Sequence, residues 1–303
     1  MNFYTAYELR ICADLQIPEL LSWQDGVEND ADLKIFKQDI QESLMQSMPQ
    51  VGPFLYSESN KMLIHIPDIA LFLVESGNKI TYKMLANSNE DDLRVFLISS
   101  CLGAILLQRD LFVLHGNVIK VGAGCIACVG HSTAGKSSLA AAFMQHGHPV
   151  VSDDVCAINQ NGEAIPGIPR IKLNEDISKK LNIDTAGLKS IRNNFEGKYS
   201  LALGDKFYAE RLPLLAVYEL SAGIRENVVI KKQTNRFERF AVLKRHLYRP
   251  RLVRVIQDQA FNLKNCSHIA EKVHVSRIQR PKHKFTLEEL RDLIIEDSKH
   301  LII

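Results

Sequence analysis

Along the first 88 residues, short apolar runs alternate with polar turns: Tyr4 to Cys12, Leu33 to Phe36, Met62 to Ile66, Ile69 to Val74 and Ile80 to Met84. Runs this short, broken by Gly, Pro, Asn and Asp, predict strands, so residues 1–88 read as a small β-rich module. The pattern then changes period. Asn89-Glu90-Asp91-Asp92 supplies an acidic helix start, and Leu93, Phe96, Leu97, Leu102, Ile105 and Leu106 form an apolar stripe to about Gln108, which predicts a connecting helix over 89–110. From Leu111 the chain enters a third region, 111–303. Strands are expected at Phe112 to His115, at Val118 to Val121 and, after a Gly122-Ala123-Gly124 turn, at Cys125 to Val129. Such a close hairpin does not fit a purely parallel sheet, in which helices separate the strands, so a mixed sheet in an α/β (α+β) fold is expected. Asn193 to Lys198 read as a mobile loop, and helices dominate from about Arg236.

The apolar strand Cys125 to Val129 runs into Gly130-His131-Ser132-Thr133-Ala134-Gly135-Lys136-Ser137, a complete G-x-x-x-x-G-K-S loop, and then into the helix-forming Ser138-Leu139-Ala140-Ala141-Ala142-Phe143. Strand, loop and helix in that order make a phosphate cradle. Its glycines let backbone N–H groups face the phosphates, and the helix N-terminus adds positive potential. Lys136 reaches the outer phosphates, and the Ser137 hydroxyl can ligate Mg²⁺. ATP and Mg²⁺ are therefore the expected cofactors. Downstream, Pro149 to Val155 reads as a short buried strand carrying Asp153 and Asp154 at its end. A P-loop protein holds its magnesium with an acid so placed. Adjacent side chains of a strand face opposite sides, so the two acids take different roles unless the strand has already turned.

The 303 residues carry a formal charge of +2, which selects no partner. Between Lys231 and Lys284 the acids are only Glu238, Asp258 and Glu271, so this stretch presents positive potential. Its few aromatics sit at helical spacings, and nucleic acid is not the expected partner. The cysteines, Cys12, Cys101, Cys125, Cys128, Cys156 and Cys266, form no framework and read as free thiols. Cys125 and Cys128 lie three apart on one strand and should face opposite sides. The N-terminus shows no secretory pattern, and the longest apolar run, Leu97 to Leu107, is too short for a bilayer. A cytoplasmic protein without a membrane span is expected.

Leu114-His115-Gly116, the phosphate loop, and Gly147-His148 before Ser152-Asp153-Asp154 resemble the catalytic domain of HPr kinase/phosphorylase in order and spacing over roughly residues 112–158. The Tyr7 to Leu20 opening, Leu107-Gln108-Arg109-Asp110 and Pro166 to Leu173 resemble the related kinases of lasso-peptide biosynthesis. The resemblance implies a phosphoenolpyruvate-carboxykinase-like P-loop fold and transfer of the γ-phosphoryl group of ATP, with Mg²⁺, to a serine hydroxyl. It implies Asp154 as proton acceptor, Lys136 as loop lysine, His115 as active-site histidine, and Ser137 and Asp153 toward the metal. Gly130 to Ser138 would hold the nucleotide. Arg280-Pro281 resembles the start of a late catalytic loop, with Lys282-His283-Lys284 where the family has Gly-Arg-Asn. Thr133 stands where the parent enzymes have Gly, and their metal-binding Glu has no counterpart, so neither phosphorylase activity nor HPr as substrate carries over. The expected partner is a peptide or protein with an acceptor serine, a lasso precursor's C-terminal Ser among the options. The parent enzymes form rings, which implies a homo-oligomer, although the residues themselves leave this open. The alternative reading is a P-loop ATPase or nucleotide-dependent switch with no phosphoacceptor.

Overall fold

The computed structural model describes residues 1–58, 60–86, 88–185, 188, 197–224, 226–233 and 235–301. Most of the expected loop at Asn193 to Lys198 lies outside the described residues. The strands before residue 85 build one mixed sheet: β1 (Asn2–Ala6), β2 (Leu9–Ala13), β3 (Leu21–Ser22), β4 (Leu33–Lys37), β5 (Gln50–Gly52), β6 (Leu55–Glu58), β7 (Lys61–Ile66), β8 (Ala70–Glu75) and β9 (Lys79–Met84). Their spatial order is β3-β1-β2-β4-β9-β8-β7-β6-β5. The β2–β4 and β4–β9 pairs are parallel. One face packs on the single-turn helix α1 (Leu44–Ser47) through Leu63 and Leu71, while Met62, Ile64 and Phe72 face the main core.

Between the two sheets runs the connecting helix, α2 (Glu90–Phe96), a π-helical turn over Leu97–Cys101, and α3 (Leu102–Gln108). Asn89 caps it by accepting a 2.8 Å hydrogen bond from the Asp92 amide, and the first-turn acids suit the helix dipole. The π-turn keeps Leu97, Cys101 and Leu102 all in the core, which a regular 3.6-residue spiral would fan apart. Tyr248 packs so closely on Gly103 that a Cβ there would lie 2.4 Å from its ring.

A second mixed sheet contains β10 (Phe112–Leu114), β11 (Gly116–Val121), β12 (Gly124–Gly130), β13 (Val150–Ser152), β14 (Cys156–Ile158) and β15 (Glu163–Ile165). The small ribbon β16 (Arg170–Asn174) and β17 (Lys198–Ala202) pairs separately. Completing the large sheet are β18 (Leu212–Gly223), β19 (Val229–Lys232) and β20 (His274–Pro281). The order β10-β14-β15-β18-β12-β11-β13 puts β12 between a parallel neighbour, β18, and its antiparallel hairpin partner, β11. Helix α4 (Lys136–Gln145) follows β12 and packs on the sheet with Leu139 and Phe143 fully buried, each worth about 1.5–3 kcal/mol of transfer energy. The single-turn-and-a-half α5 (Glu175–Lys180) follows β16. The opposite sheet face is covered by α6 (Arg236–Arg245) and α8 (Gln259–Lys272), and α9 (Leu287–Ser298) lies beside α4. Helix α7 (Pro250–Ile256) contacts α3. Cys125 and Cys128 point into different cores, on opposite faces of β12, and all six thiols are buried and free.

Candidate active site

The phosphate loop leaves the centre of the second sheet, where β12 is buried along its whole length. At Gly130 the strand runs so close to β18 that a Cβ would sit 2.6 Å from the Leu220 carbonyl oxygen. Gly135 forms the N-cap of α4 with φ +103°, a left-handed conformation that glycine adopts without strain. Thr133 holds φ +68° in the same loop, a costly conformation for a β-branched residue. Lys136 Nζ donates to the carbonyls of Gly130 (2.8 Å) and His131 (3.2 Å). Burial lowers its pKa, against the pull of Asp154 and Asp153.

Strand β13 ends at Ser152, one residue before the acidic pair, and the chain then turns with Asp154 at φ +74°. That turn overrides the strand alternation, so both carboxylates line one cavity of about 270 Å³ with His115, Lys136, Ser137 and Lys172. Asp153 Oδ1 accepts from Ser137 Oγ (3.0 Å) and Oδ2 from the Lys172 amide (2.9 Å). Burial, and then the neighbouring Asp154, push its pKa up to about 6. Asp154 Oδ2 accepts from Lys172 Nζ at 2.9 Å. Burial alone would raise the pKa of Asp154, but the Lys172 ammonium, with His115, outweighs it and brings it down to about 2. One carboxylate is thus a reluctant anion and the other a permanent one.

His115 Nδ1 lies 3.0 Å from the Asp154 carbonyl oxygen and 3.3 Å from its Oδ1. Both are acceptors, which assigns the proton to Nδ1 and leaves Nε2 as an acceptor. Burial chiefly lowers the His115 pKa, so the ring is neutral near pH 7. Ser137 Oγ and Asp153 Oδ1 are two hard oxygens 3.0 Å apart. Neighbouring ligands of an octahedral Mg²⁺ lie about 2.9 Å apart, so this pair has the spacing that would hold the ion. Among the described residues, no group of three or more His, Cys, Asp and Glu could hold a metal by itself.

Arg280 comes to the same loop from behind. Its Nε donates to the Ala134 carbonyl (3.1 Å) and Nη2 to that of Thr133 (3.4 Å), and it does not line the cavity of the acidic pair. Arg170, at the start of β16, does not line that cavity either; it donates to Ser200 and the Pro18 carbonyl.

Three contributors have no counterpart in the sequence reading. Lys172 is one; its signal is the alternation Arg170-Ile171-Lys172-Leu173, in which Ile171 and Leu173 are buried and Lys172 is left on the cavity side. Tyr7 is another. It occupies a two-residue hairpin turn between β1 and β2 at φ +52°, donates its amide to the Pro166 carbonyl (3.1 Å) and is buried beside Ser152. Burial, with Tyr248 and Asp154 nearby, raises its phenol pKa strongly. The third is Glu219 on β18, opposite Val129 of the loop strand. Its buried carboxylate pairs with Arg245, with Arg277 (2.5 Å) and with His246 Nε2 (2.8 Å), and the His246 ring meets loop residue His131 at 5.5 Å. His246 and then Arg245 outweigh the effect of burial and bring Glu219 down to about 2.

No family model matches the sequence. An HPr kinase/phosphorylase of Chlorobium phaeobacteroides is 30% identical over 136 residues, 42% of this chain and 42% of the relative. One of Pelodictyon phaeoclathratiforme is 27% identical over 133 residues, 41% of this chain and 39% of the relative. The chain thus matches only about 40% of the length of these curated relatives. Among solved structures, the HPr(Ser) kinase/phosphatase from Coxiella burnetii is similar at 14% identity and a TM-score of 0.30, over 62% of this chain and 94% of that one. No helix among the described residues is long and apolar enough to cross a membrane.

Proposed function

We propose that this protein is an ATP-dependent phosphotransferase of the HPr kinase/phosphorylase kind, with the phosphoenolpyruvate-carboxykinase-like P-loop fold, and that its acceptor is a serine hydroxyl of a peptide or protein. The observation that carries this is the single cavity shared by Lys136, Ser137, Asp153 and Asp154, with His115 on Asp154. Gly130 to Ser138 would hold the phosphates, and Ser137 with Asp153 would hold Mg²⁺, which would supply neutralisation of phosphate charge. Lys136 leaves the loop carbonyls for the outer phosphates.

Asp154 orients the acceptor hydroxyl and takes its proton. A carboxylate with a pKa of about 2 is a weak base. Weak basicity suits a loose transition state, in which the proton leaves late and positioning dominates. Lys172 keeps that carboxylate ionised, and His115, neutral and fixed through Nδ1, offers Nε2 as an acceptor to the hydroxyl of the acceptor. Tyr7 ties the N-terminal β-rich module, residues 1–88, to the floor of the site, a supporting role. A lasso precursor with a C-terminal serine is the acceptor favoured by the sequence likeness, in a cytoplasmic setting.

Incubation with ATP, Mg²⁺ and peptides ending in serine, followed by mass spectrometry, tests this reading. The expected product is a peptide carrying one added phosphoryl group. Asp154→Ala should leave ATP binding intact and slow transfer by about 10²–10⁴-fold, the contribution of a positioned general base. Phosphate release with no phosphopeptide under any acceptor would favour the ATPase or switch instead.

A further inference from the structure

A cavity of about 420 Å³ lies where the first sheet meets α7, and the phosphoryl-transfer site makes no use of it. Its volume falls within the roughly 300–1,000 Å³ of ligand pockets, and junctions between folding units are a preferred place for them. Phe54, Leu55 and Ile64 wall it on the sheet side, with Phe96 at the start of the π-helical turn and Leu252 of α7. The rim is basic. Arg249 and Arg251 line it, no acid does, and neither guanidinium forms an ion pair with a described residue. Across Pro250, an adjoining cavity of about 240 Å³ adds Lys244 and Arg254, again without an acid.

Two of these lining residues hold backbone conformations that large side chains rarely adopt, Phe54 at φ +57° and Arg249 at φ +42°. Strain of this kind concentrates at ligand clamps. At Phe54 it leaves an apolar ring 49% exposed on the cavity wall, braced edge-on by His65 at 5.8 Å. The cavity is also near the acidic pair along the chain. His115 donates its amide to the His246 carbonyl (2.8 Å), Tyr248 donates its own to Val113 (2.8 Å), and Arg249 comes next. From His246 to Arg249 the chain spans at most about 11 Å. An extended peptide covers that distance and the width of one strand pair in about five residues.

Resting on the kinase reading, we propose that this cavity docks the acceptor itself, through an apolar segment flanked by carboxylates that lies about five or more residues from the phosphorylated serine. The apolar side chains fill the space beside Phe54 and Leu252, and the carboxylates meet Arg249 and Arg251. Remote docking strengthens ground-state and transition-state binding alike, so it acts on KM and leaves kcat.

Synthetic peptides ending in serine, with ATP and Mg²⁺ and the full chain, test it. They carry Asp-Phe-Leu-Glu, Lys-Phe-Leu-Lys or Asp-Gly-Gly-Glu at about five, eight or eleven residues before the serine. At its best spacing the Asp-Phe-Leu-Glu peptide should show a KM at least about tenfold below both others at similar kcat, the effect of burying one large apolar side chain. Gly52→Leu fills the cavity: Gly52 lines it outside the left-handed region, and a Cβ there meets only Leu55 and the Arg251 stem, at 3.7–3.9 Å. In this variant the KM ratio between Asp-Phe-Leu-Glu and Asp-Gly-Gly-Glu peptides should fall to about one. Arg251→Glu, at an exposed side chain, should cut the preference for acidic over lysine flanks by about fivefold. Ratios between peptides are unaffected by a loss of folded enzyme. Equal KM for the three peptides in wild type, or preferences kept in both variants, overturns the docking site and leaves the kinase in place. A wild-type dimer that Gly52→Leu dissociates, with KM unchanged, assigns the cavity to a second copy and overturns it as well. If no peptide is phosphorylated, anisotropy of the fluorescein-labelled Asp-Phe-Leu-Glu peptide decides: binding that Gly52→Leu removes keeps the peptide site while the kinase falls, and no binding ends both.

Discussion

Asp153 is a destabilising residue in the metal-free protein, and its replacement by Asn should raise stability while removing function. Its carboxyl titrates at about 6 when folded, against 3.8 as the ordinary value. Between those pH values the folded state holds a proton that the unfolded chain has released, so stability falls as pH rises through the window. Above it the full displacement of about two units costs about 3 kcal/mol. Asn removes this charge. It keeps one carbonyl oxygen for the Ser137 hydroxyl or the Lys172 amide and forfeits the other bond, a loss of about 1 kcal/mol.

The net gain of about 2 kcal/mol, set against an unfolding entropy of about 0.6 kcal/mol per degree for a chain this long, gives about 3 °C. Thermal unfolding with a chelator present, from pH 4 to pH 8, is the assay. Asp153→Asn should melt above wild type at pH 8, lose its advantage between pH 6 and pH 4, and fall slightly below wild type at pH 4. Addition of Mg²⁺ and ATP should invert the order, because a ligand at 100 times its Kd adds about 2.7 kcal/mol to the form that binds it. A variant that melts lower at pH 8, or a gap that is the same at pH 4 and pH 8, refutes the reasoning.

Two further outcomes follow from backbone and charge. Thr133→Gly removes a left-handed β-branched residue from the loop, relieving about 1–2 kcal/mol of strain against about 0.5–1 kcal/mol of added unfolded-state entropy; urea unfolding should show a gain of up to about 1.5 kcal/mol, and a clear loss would contradict it. Glu219→Gln leaves Arg245 and Arg277 around a neutral group; half-exposed guanidiniums reduce the cost of a broken buried pair to about 2–3 kcal/mol. Because the folded pKa of Glu219 is depressed from 4.5 to about 2, that penalty should be complete above pH 4.5 and fade as pH falls toward 2, seen as converging denaturation midpoints.

What could be read from the residues alone was whatever chain-local geometry determines. The phosphate loop is contiguous, and its strand and helix follow from burial of Cys125 to Val129 and of Leu139 to Phe143. The acidic pair was visible, but its shared orientation was not, since it depends on Asp154 adopting φ +74°, which no strand pattern implies. Lys172 escaped for a different reason. It is 18 residues from Asp154, on a ribbon whose partner strand β17 begins at Lys198, so only the fold brings its Nζ to the carboxylate.

Tyr7 marks the limit most sharply. A two-residue turn with positive φ at both positions normally advertises itself through Asn-Gly or Asp-Gly, and Tyr7-Glu8 carries neither. The strain, about 1 kcal/mol or more per residue, is held by contacts far along the chain: the Pro166 carbonyl on the Tyr7 amide, burial of the ring beside Ser152, and Arg211 on Glu8 at 2.6 Å. Every one of those partners belongs to the segment from Ser152 to Arg211 that shapes the cavity. A turn that is unfavourable by itself and stable only against the site is therefore a coupling element, and it ties the first sheet to the acidic pair in a way that no stretch of contiguous sequence encodes.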